Sequence, residues 1–343
     1  MQTNMHQWAK SVVHAGRRCA LPVMTHPGIE LTGHSVREAV TNGEVHFQAM
    51  KAQHETFPSI ASTMIMDLTV EAEAFGSPIN FSEHEIPTVA GRIVSAWDSV
   101  SNLNVPALEA GRIPQYLRAA TLAAKSIKDV PVFAGCIGPF SLAGRLFDMT
   151  EIMTAAYMEP ETVNLLLEKC TKFLSAYIKG FKNCGVSGVL IAEPAAGVLS
   201  GDMCQQFSSD YVKTIVAENQ DENFMIILHN CGNTGHVTQS MVSTGAAGLH
   251  FGNKIDMLQV LAEVPSDRLV LGNLDPVGVF KMSNPQMVEK DTLSLLEKTK
   301  AYPNFVISSG CDTPPGVPME NIKAFFSAVN LANKVKDKIS SMP

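Results

Sequence analysis

Residues 188–229 read GVLIAEPAAGVLSGDMCQQFSSDYVKTIVAENQDENFMIILH. Two short apolar runs, 188–193 and 224–229, flank a helical pattern over 202–219. Each run is almost continuously hydrophobic, not alternating, which is how a strand buried on both faces of a parallel sheet reads. The same unit recurs in both directions along the chain. Strands are expected at 20–24, 61–67, 131–136, 247–252, 268–273 and 304–309, bounded by Gly, Pro, Asn or Asp. Helical patterns over 160–183, 255–264, 284–299 and 319–338 alternate with them, the last opening after Pro318 with Glu320 in its first turn. Eight strands in βα alternation across 343 residues predict a (β/α)8 TIM barrel. A doubly wound open sheet is the alternative, but no GxGxxG follows a strand and no GxxxxGK[ST] occurs.

Two stretches exceed eight plain units. Residues 1–17 read as a helical extension covering the barrel, and the 76–113 connection is rich in Pro, Gly, Ser and Asn, as a lid or docking insertion would be. No repeat or interdomain linker interrupts residues 1–343, so one domain is expected. With 45% hydrophobic and 17% charged residues, the chain can bury a large core. Its net charge of −7, without a basic run, argues against nucleic acid and anionic membrane as partners. No apolar stretch approaches the roughly 18 residues that span a bilayer, and the polar start MQTNMHQWAK is unlike a signal peptide. Seven scattered cysteines point to a reducing cytoplasm rather than a disulfide framework.

In a TIM barrel the chemistry sits at the C-terminal ends of the strands. Those ends carry Met24–His26, Asp67, Cys136, Glu193, His229 with Cys231, His250, Asn273 with Asp275, and Cys311. In an extended segment residues i and i+2 point to one side, so His229 and Cys231 converge. Cys311 follows the last strand, 80 residues later, and a closed barrel returns it to the same mouth. One His and two Cys suit zinc, and three protein ligands leave a fourth position open, the catalytic arrangement. Buried free cysteines are the plainer alternative. Cys19, Cys170, Cys184 and Cys204 fall in helices or at edges and read as packing.

The stretches LHNCG (228–232), GNLDP (272–276) and SGCDTPPGVPMENIKAF (309–325) resemble the uroporphyrinogen decarboxylase superfamily. MDLTVEAEAFG (66–76), GPFSLAGRL (138–146) and IAEPAAGVLS (191–200) extend the likeness across most of the chain. More narrowly, the chain is similar to the branch of zinc-dependent methylcobamide:coenzyme M methyltransferases, whose zinc motif is His-x-Cys with a distant Cys. It implies a (β/α)8 barrel, zinc on His229, Cys231 and Cys311, and a corrinoid as methyl carrier. The decarboxylases place arginines just after the first strand, whereas THPGIELTG (25–33) has none. They also carry a C-terminal histidine where this chain has Gly310-Cys311-Asp312. A site without bidentate arginines suits an eight-carboxylate porphyrinogen poorly. Asp67, nine residues before Gly76, does match the decarboxylases' catalytic aspartate, which keeps decarboxylation as an alternative.

Zinc held by two thiolates and a neutral imidazole has net charge +2 − 2 = 0. Such a centre lowers the pKa of an incoming thiol and leaves its sulfur electron-rich, whereas a site of three neutral histidines, at +2, favours hydroxide. The expected reaction moves methyl from a methylated corrinoid to a thiol such as coenzyme M or homocysteine. Tetrahydrofolate as methyl partner, and a non-catalytic zinc- or corrinoid-handling role, remain alternatives. The chain has no DxHxxG corrinoid motif, so a separate corrinoid protein should dock over the mouth. Glu193 is expected to be a fourth zinc ligand or the base for the thiol proton, or else a carboxylate capping the next helix or pairing with a Lys. His250 would hydrogen-bond near the metal or sit satisfied in the core. Asn273 and Asp275 would line the substrate pocket or form a turn.

Overall fold

A computed structural model of the chain describes residues 3–95, 99–232 and 235–340, with side chains in the last helix as far as Lys334. Ten strands occur among the described residues: β1 (Cys19–Ala20), β2 (Ser62–Thr63), β3 (Ile79–Asn80), β4 (Thr88–Val89), β5 (Val132–Ile137), β6 (Gly188–Ala192), β7 (Met225–Asn230), β8 (Gly248–Phe251), β9 (Leu269–Leu274) and β10 (Phe305–Ser309). Eight of them form one curled sheet in the order β1-β10-β9-β8-β7-β6-β5-β2. All pairings within that sheet are parallel. Between its two ends the Ile60 N–H donates to the Ala20 carbonyl at 3.1 Å, which closes the barrel. The eight expected strands are therefore the eight observed ones, and the fold is the expected (β/α)8 barrel.

The two-residue alternation of the strands divides the core into two layers. Phe133, Leu190, Met225, Ile227, Leu269 and Val306 fill the barrel interior. Their sequence neighbours Ala134, Val189, Ile226 and Val270 face outward into the larger layer between sheet and helices. The helix Met5–His14 caps the N-terminal end of the barrel, with Met5 and Val12 joining the interior cluster and Trp8 tilted over Phe133 at 6.0 Å. Its Met5 N–H donates to the Glu222 carbonyl at 2.6 Å. That end is sealed; the opposite one carries the polar strand termini.

The 76–113 insertion contains the antiparallel pair β3–β4 and the short helix Ser99–Asn102; its residues 96–98, and residues 1–2 of the N-terminal extension, lie outside the described residues. Much of the insertion is tied down. The Ile93 and Val94 N–H groups donate to the Leu146 carbonyl. The Lys169 ammonium, on the helix Pro160–Asn183, donates to the carbonyls of Val100, Ser101 and Leu103 at 2.7–2.8 Å. A cation there matches the negative C-terminal end of the short helix. All seven cysteines are free thiols. No helix among the described residues is long and apolar enough to cross a membrane.

Candidate metal centre

Strand β7 directs Met225, Ile227 and His229 inward in turn, so His229 is the last inward residue before the barrel mouth. Asn230 turns the other way. Its amide donates to the Glu193 carbonyl and its oxygen accepts the Gly232 N–H, both at 2.9 Å, which fixes the bend that carries Cys231. At Gly252, after β8, an added Cβ would lie 2.7 Å from Cys231 Cα, so only glycine lets this backbone pass so close. On the far side, the segment after β10 is pinned to the end of β1. Asp312 accepts the Thr25 N–H at 2.7 Å, the Thr313 N–H donates to the Val23 carbonyl at 3.2 Å, and His26 donates to the Thr313 carbonyl at 3.0 Å. These ties hold Cys311 over the mouth.

The outcome is a cluster of one imidazole and two thiols whose candidate ligand atoms all lie within 4.8 Å of one another. His229 is buried and the two cysteines are partly open. Among the described residues it is the one group of three or more His, Cys, Asp or Glu side chains gathered closely enough to hold a metal ion. Hydrogen bonding from Cys311 brings Cys231 down to about 7, while the same bond and burial push Cys311 up. A pair that so readily yields a thiolate, beside an imidazole nitrogen, is a donor set that fits zinc.

Behind the cluster a polar line runs into the barrel. His229 Nδ1 lies 2.6 Å from His250 Nδ1, His250 Nε2 lies 2.8 Å from Ser308 Oγ, and Ser308 Oγ lies 2.7 Å from the Leu21 carbonyl. His250 and Ser308 are fully buried. Burial, with His229 beside it, holds the His250 imidazole well below its ordinary pKa, so it is neutral. Ser308 offered no warning in the sequence, since a lone serine within a strand has no telling spacing.

The other expected site residues stand apart from the three ligands. Glu193 is buried with its carboxylate turned onto the start of the helix Pro139–Phe147, accepting from the Phe140 N–H at 3.0 Å, the Ser141 N–H at 2.6 Å and the Ser141 hydroxyl. Burial raises it to about 7. A Cβ at Gly138 would overlap its Oε2, so glycine is what admits the carboxylate there. Asp67 is buried and paired with the Arg112 guanidinium at 2.5 Å, and it accepts from the Thr69 N–H and hydroxyl at 3.0 and 2.7 Å. Arg112 reaches Glu73 as well, at 2.5 Å, and closes the 76–113 insertion. Asn273 donates to the carbonyls of Gly252 and Ile255 at 2.9 and 2.8 Å, fastening the loop after β8. Asp275 is half-buried and caps the turn at Pro276, accepting from Val277 and Gly278 at 2.9 Å each.

Residues 18–331 match the family model described as uroporphyrinogen decarboxylase (URO-D). The methylcobamide:CoM methyltransferase MtbA of Methanosarcina acetivorans is 27% identical over 318 residues, 89% of this chain and 89% of its own. A uroporphyrinogen decarboxylase of Coxiella burnetii is 26% identical over 297 residues, 83% of this chain and 81% of its own. Among solved structures, a methyltransferase from Methanosarcina mazei superposes with a TM-score of 0.85 at 24% identity, covering 96% of this chain and 99% of that one.

Proposed function

The chain belongs to the uroporphyrinogen decarboxylase (URO-D) family, and within it we propose a zinc-dependent methyltransferase that moves a methyl group from a methylated corrinoid to a thiol such as coenzyme M. The observation that carries this reading is the convergence of His229, Cys231 and Cys311 within 4.8 Å at the barrel mouth. The relative named as a methylcobamide:CoM methyltransferase supports it. His229 would bind through a neutral nitrogen and the two cysteines as thiolates. Zinc held by them would lower the pKa of a thiol at the open position and keep its sulfur nucleophilic. In the transfer an S–C bond forms and the Co–C bond breaks, with its electron pair left on cobalt, while the thiol proton passes to solvent. The methylated corrinoid is a substrate, brought by a separate corrinoid protein to the partly open side where Cys231 and Cys311 lie. Seven free thiols support a reducing, cytoplasmic setting.

Asp67 bears on decarboxylation, the activity named for other relatives. A polycarboxylate substrate needs guanidinium groups free to fork onto it. Arg112, the arginine hydrogen-bonded to Asp67, is already matched by two carboxylates of the protein, Asp67 and Glu73. This favours methyl transfer.

The test is zinc content of anaerobically purified protein, then zinc X-ray absorption with and without a small thiol. About one zinc per chain is expected, with one sulfur added to its shell by the thiol, and loss of the metal in a folded Cys311→Ala variant. Zinc with a shell that no thiol alters would indicate a non-catalytic zinc protein. Absence of zinc, or its full retention by Cys311→Ala, would remove the ligand set and the mechanism with it.

A further inference from the structure

Hydrogen bonds have direction, and the buried line behind His229 can be read from its far end. The Leu21 carbonyl has no proton to give, so at 2.7 Å the Ser308 hydroxyl must donate to it. Having spent its single proton, Ser308 Oγ can only accept from His250 Nε2 at 2.8 Å. His250 therefore carries its proton on Nε2 and presents a bare Nδ1. The 2.6 Å contact between His250 Nδ1 and His229 Nδ1 then requires the proton on His229 Nδ1. What remains on His229 is the lone pair of Nε2, the form in which an imidazole binds a metal.

We infer that Ser308 and His250 are positioning residues that hold His229 as its Nδ1–H tautomer, leaving the Nε2 lone pair bare for the metal. The inference rests on the zinc reading above for its purpose but not for the tautomer, since the three hydrogen bonds from His229 to the Leu21 carbonyl are contacts within the protein. His250 and Ser308 are fully buried and His229 is only 5% exposed, so bulk solvent offers no competing donor. The device sets three polar side chains into a barrel interior otherwise filled largely by Phe, Met, Leu, Ile and Val. With Ser308 replaced by Ala the fixed direction disappears. His250 can then carry its proton on Nδ1, donate to His229 Nδ1 and drive the His229 proton onto Nε2, where it blocks the metal.

Two measurements test this. In metal-free wild-type protein with 15N-labelled histidine, long-range 1H–15N correlation spectra should show His229 protonated on Nδ1 and His250 on Nε2. In Ser308→Ala, compared by chelator competition, zinc affinity should fall about 10- to 100-fold, the range usual for loss of an outer-shell partner. Ser308→Thr, which keeps the hydroxyl, should restore most of it, and metal-free unfolding midpoints identify any variant damaged in folding. A wild-type His229 protonated on Nε2, or a folded Ser308→Ala binding zinc within twofold of wild type, overturns the inference. If wild type binds no zinc, the functional reading fails, while the spectra of the metal-free protein still decide the tautomer.

Discussion

Glu71 lies close to the barrel wall with one carboxyl oxygen accepting the Ile137 N–H at 3.1 Å and the other buried without a hydrogen-bond partner. Burial, and to a lesser degree the charge of Asp67, raise it from 4.5 to about 7. Because the folded chain holds this proton more tightly than the unfolded chain, Glu71 favours folding in full below about 4.5, and that contribution is lost as pH rises through about 7. Glu71→Gln keeps the shape and removes the charge. It should be close to neutral at pH 4.5 and stabilising at pH 8 by on the order of 2 kcal/mol. Urea unfolding of both proteins at the two pH values measures the difference. Equal destabilisation at both pH values would mean that the carboxylate is satisfied in a way the hydrogen bonds do not reveal. The neighbouring Asp67 is placed differently, buried against the Arg112 guanidinium.

At the level of elements, the helix Pro139–Phe147 begins on a carboxylate supplied from another strand. Glu193, just beyond β6, occupies the place that a capping side chain at Gly138 would otherwise take. Gly138→Ala would push a methyl group into that carboxylate and leave the Phe140 and Ser141 N–H groups unmatched. A loss of about 2 kcal/mol in urea unfolding is expected, from one displaced cap and its buried donors. A stability within about 0.5 kcal/mol of wild type would show that the helix start tolerates its absence. The same interaction shows where the sequence is silent. Near-continuous apolar runs made the barrel strands legible, and the period of two made His229 and Cys231 legible as a pair. β1 pairs over only two residues, Cys19 with Val306 and Ala20 with Ile307, because Pro22 soon follows without an N–H to continue the ladder. The two-residue strands β3 and β4 have too little pattern to announce themselves. From the sequence Glu193 is expected as a zinc ligand or base, with capping of the next helix as the alternative, whereas the helix its carboxylate meets belongs to the preceding βα unit. Arg112 meets Asp67 and Glu73 across 45 and 39 residues, and no local spacing encodes such a meeting.

Across the whole molecule, stability and chemistry occupy opposite ends of the barrel. One end is sealed by Met5, Val12 and Trp8 of the first helix against Phe133 and the interior of the sheet. The other gathers His229 and Cys231 after β7 and Cys311 after β10, with β8 and β9 between them in the sheet. A metal there would clip together parts of the sheet that are not neighbours. Binding only the folded state, zinc at a hundred times its dissociation constant should add about 2.7 kcal/mol, read as a rise in Tm that Cys311→Ala abolishes. Met5, only 1% exposed, supplies the matching test at the sealed end. Met5→Ala should cost about 3 kcal/mol through the cavity it leaves. Because sites far apart with no shared partners act additively, its zinc affinity should stay within twofold of wild type. The increment in stability from zinc should then be the same in Met5→Ala as in wild type. A zinc affinity that falls along with the stability of Met5→Ala would mean that the N-terminal helix also shapes the ligand cluster, and that the two ends of the barrel are mechanically one.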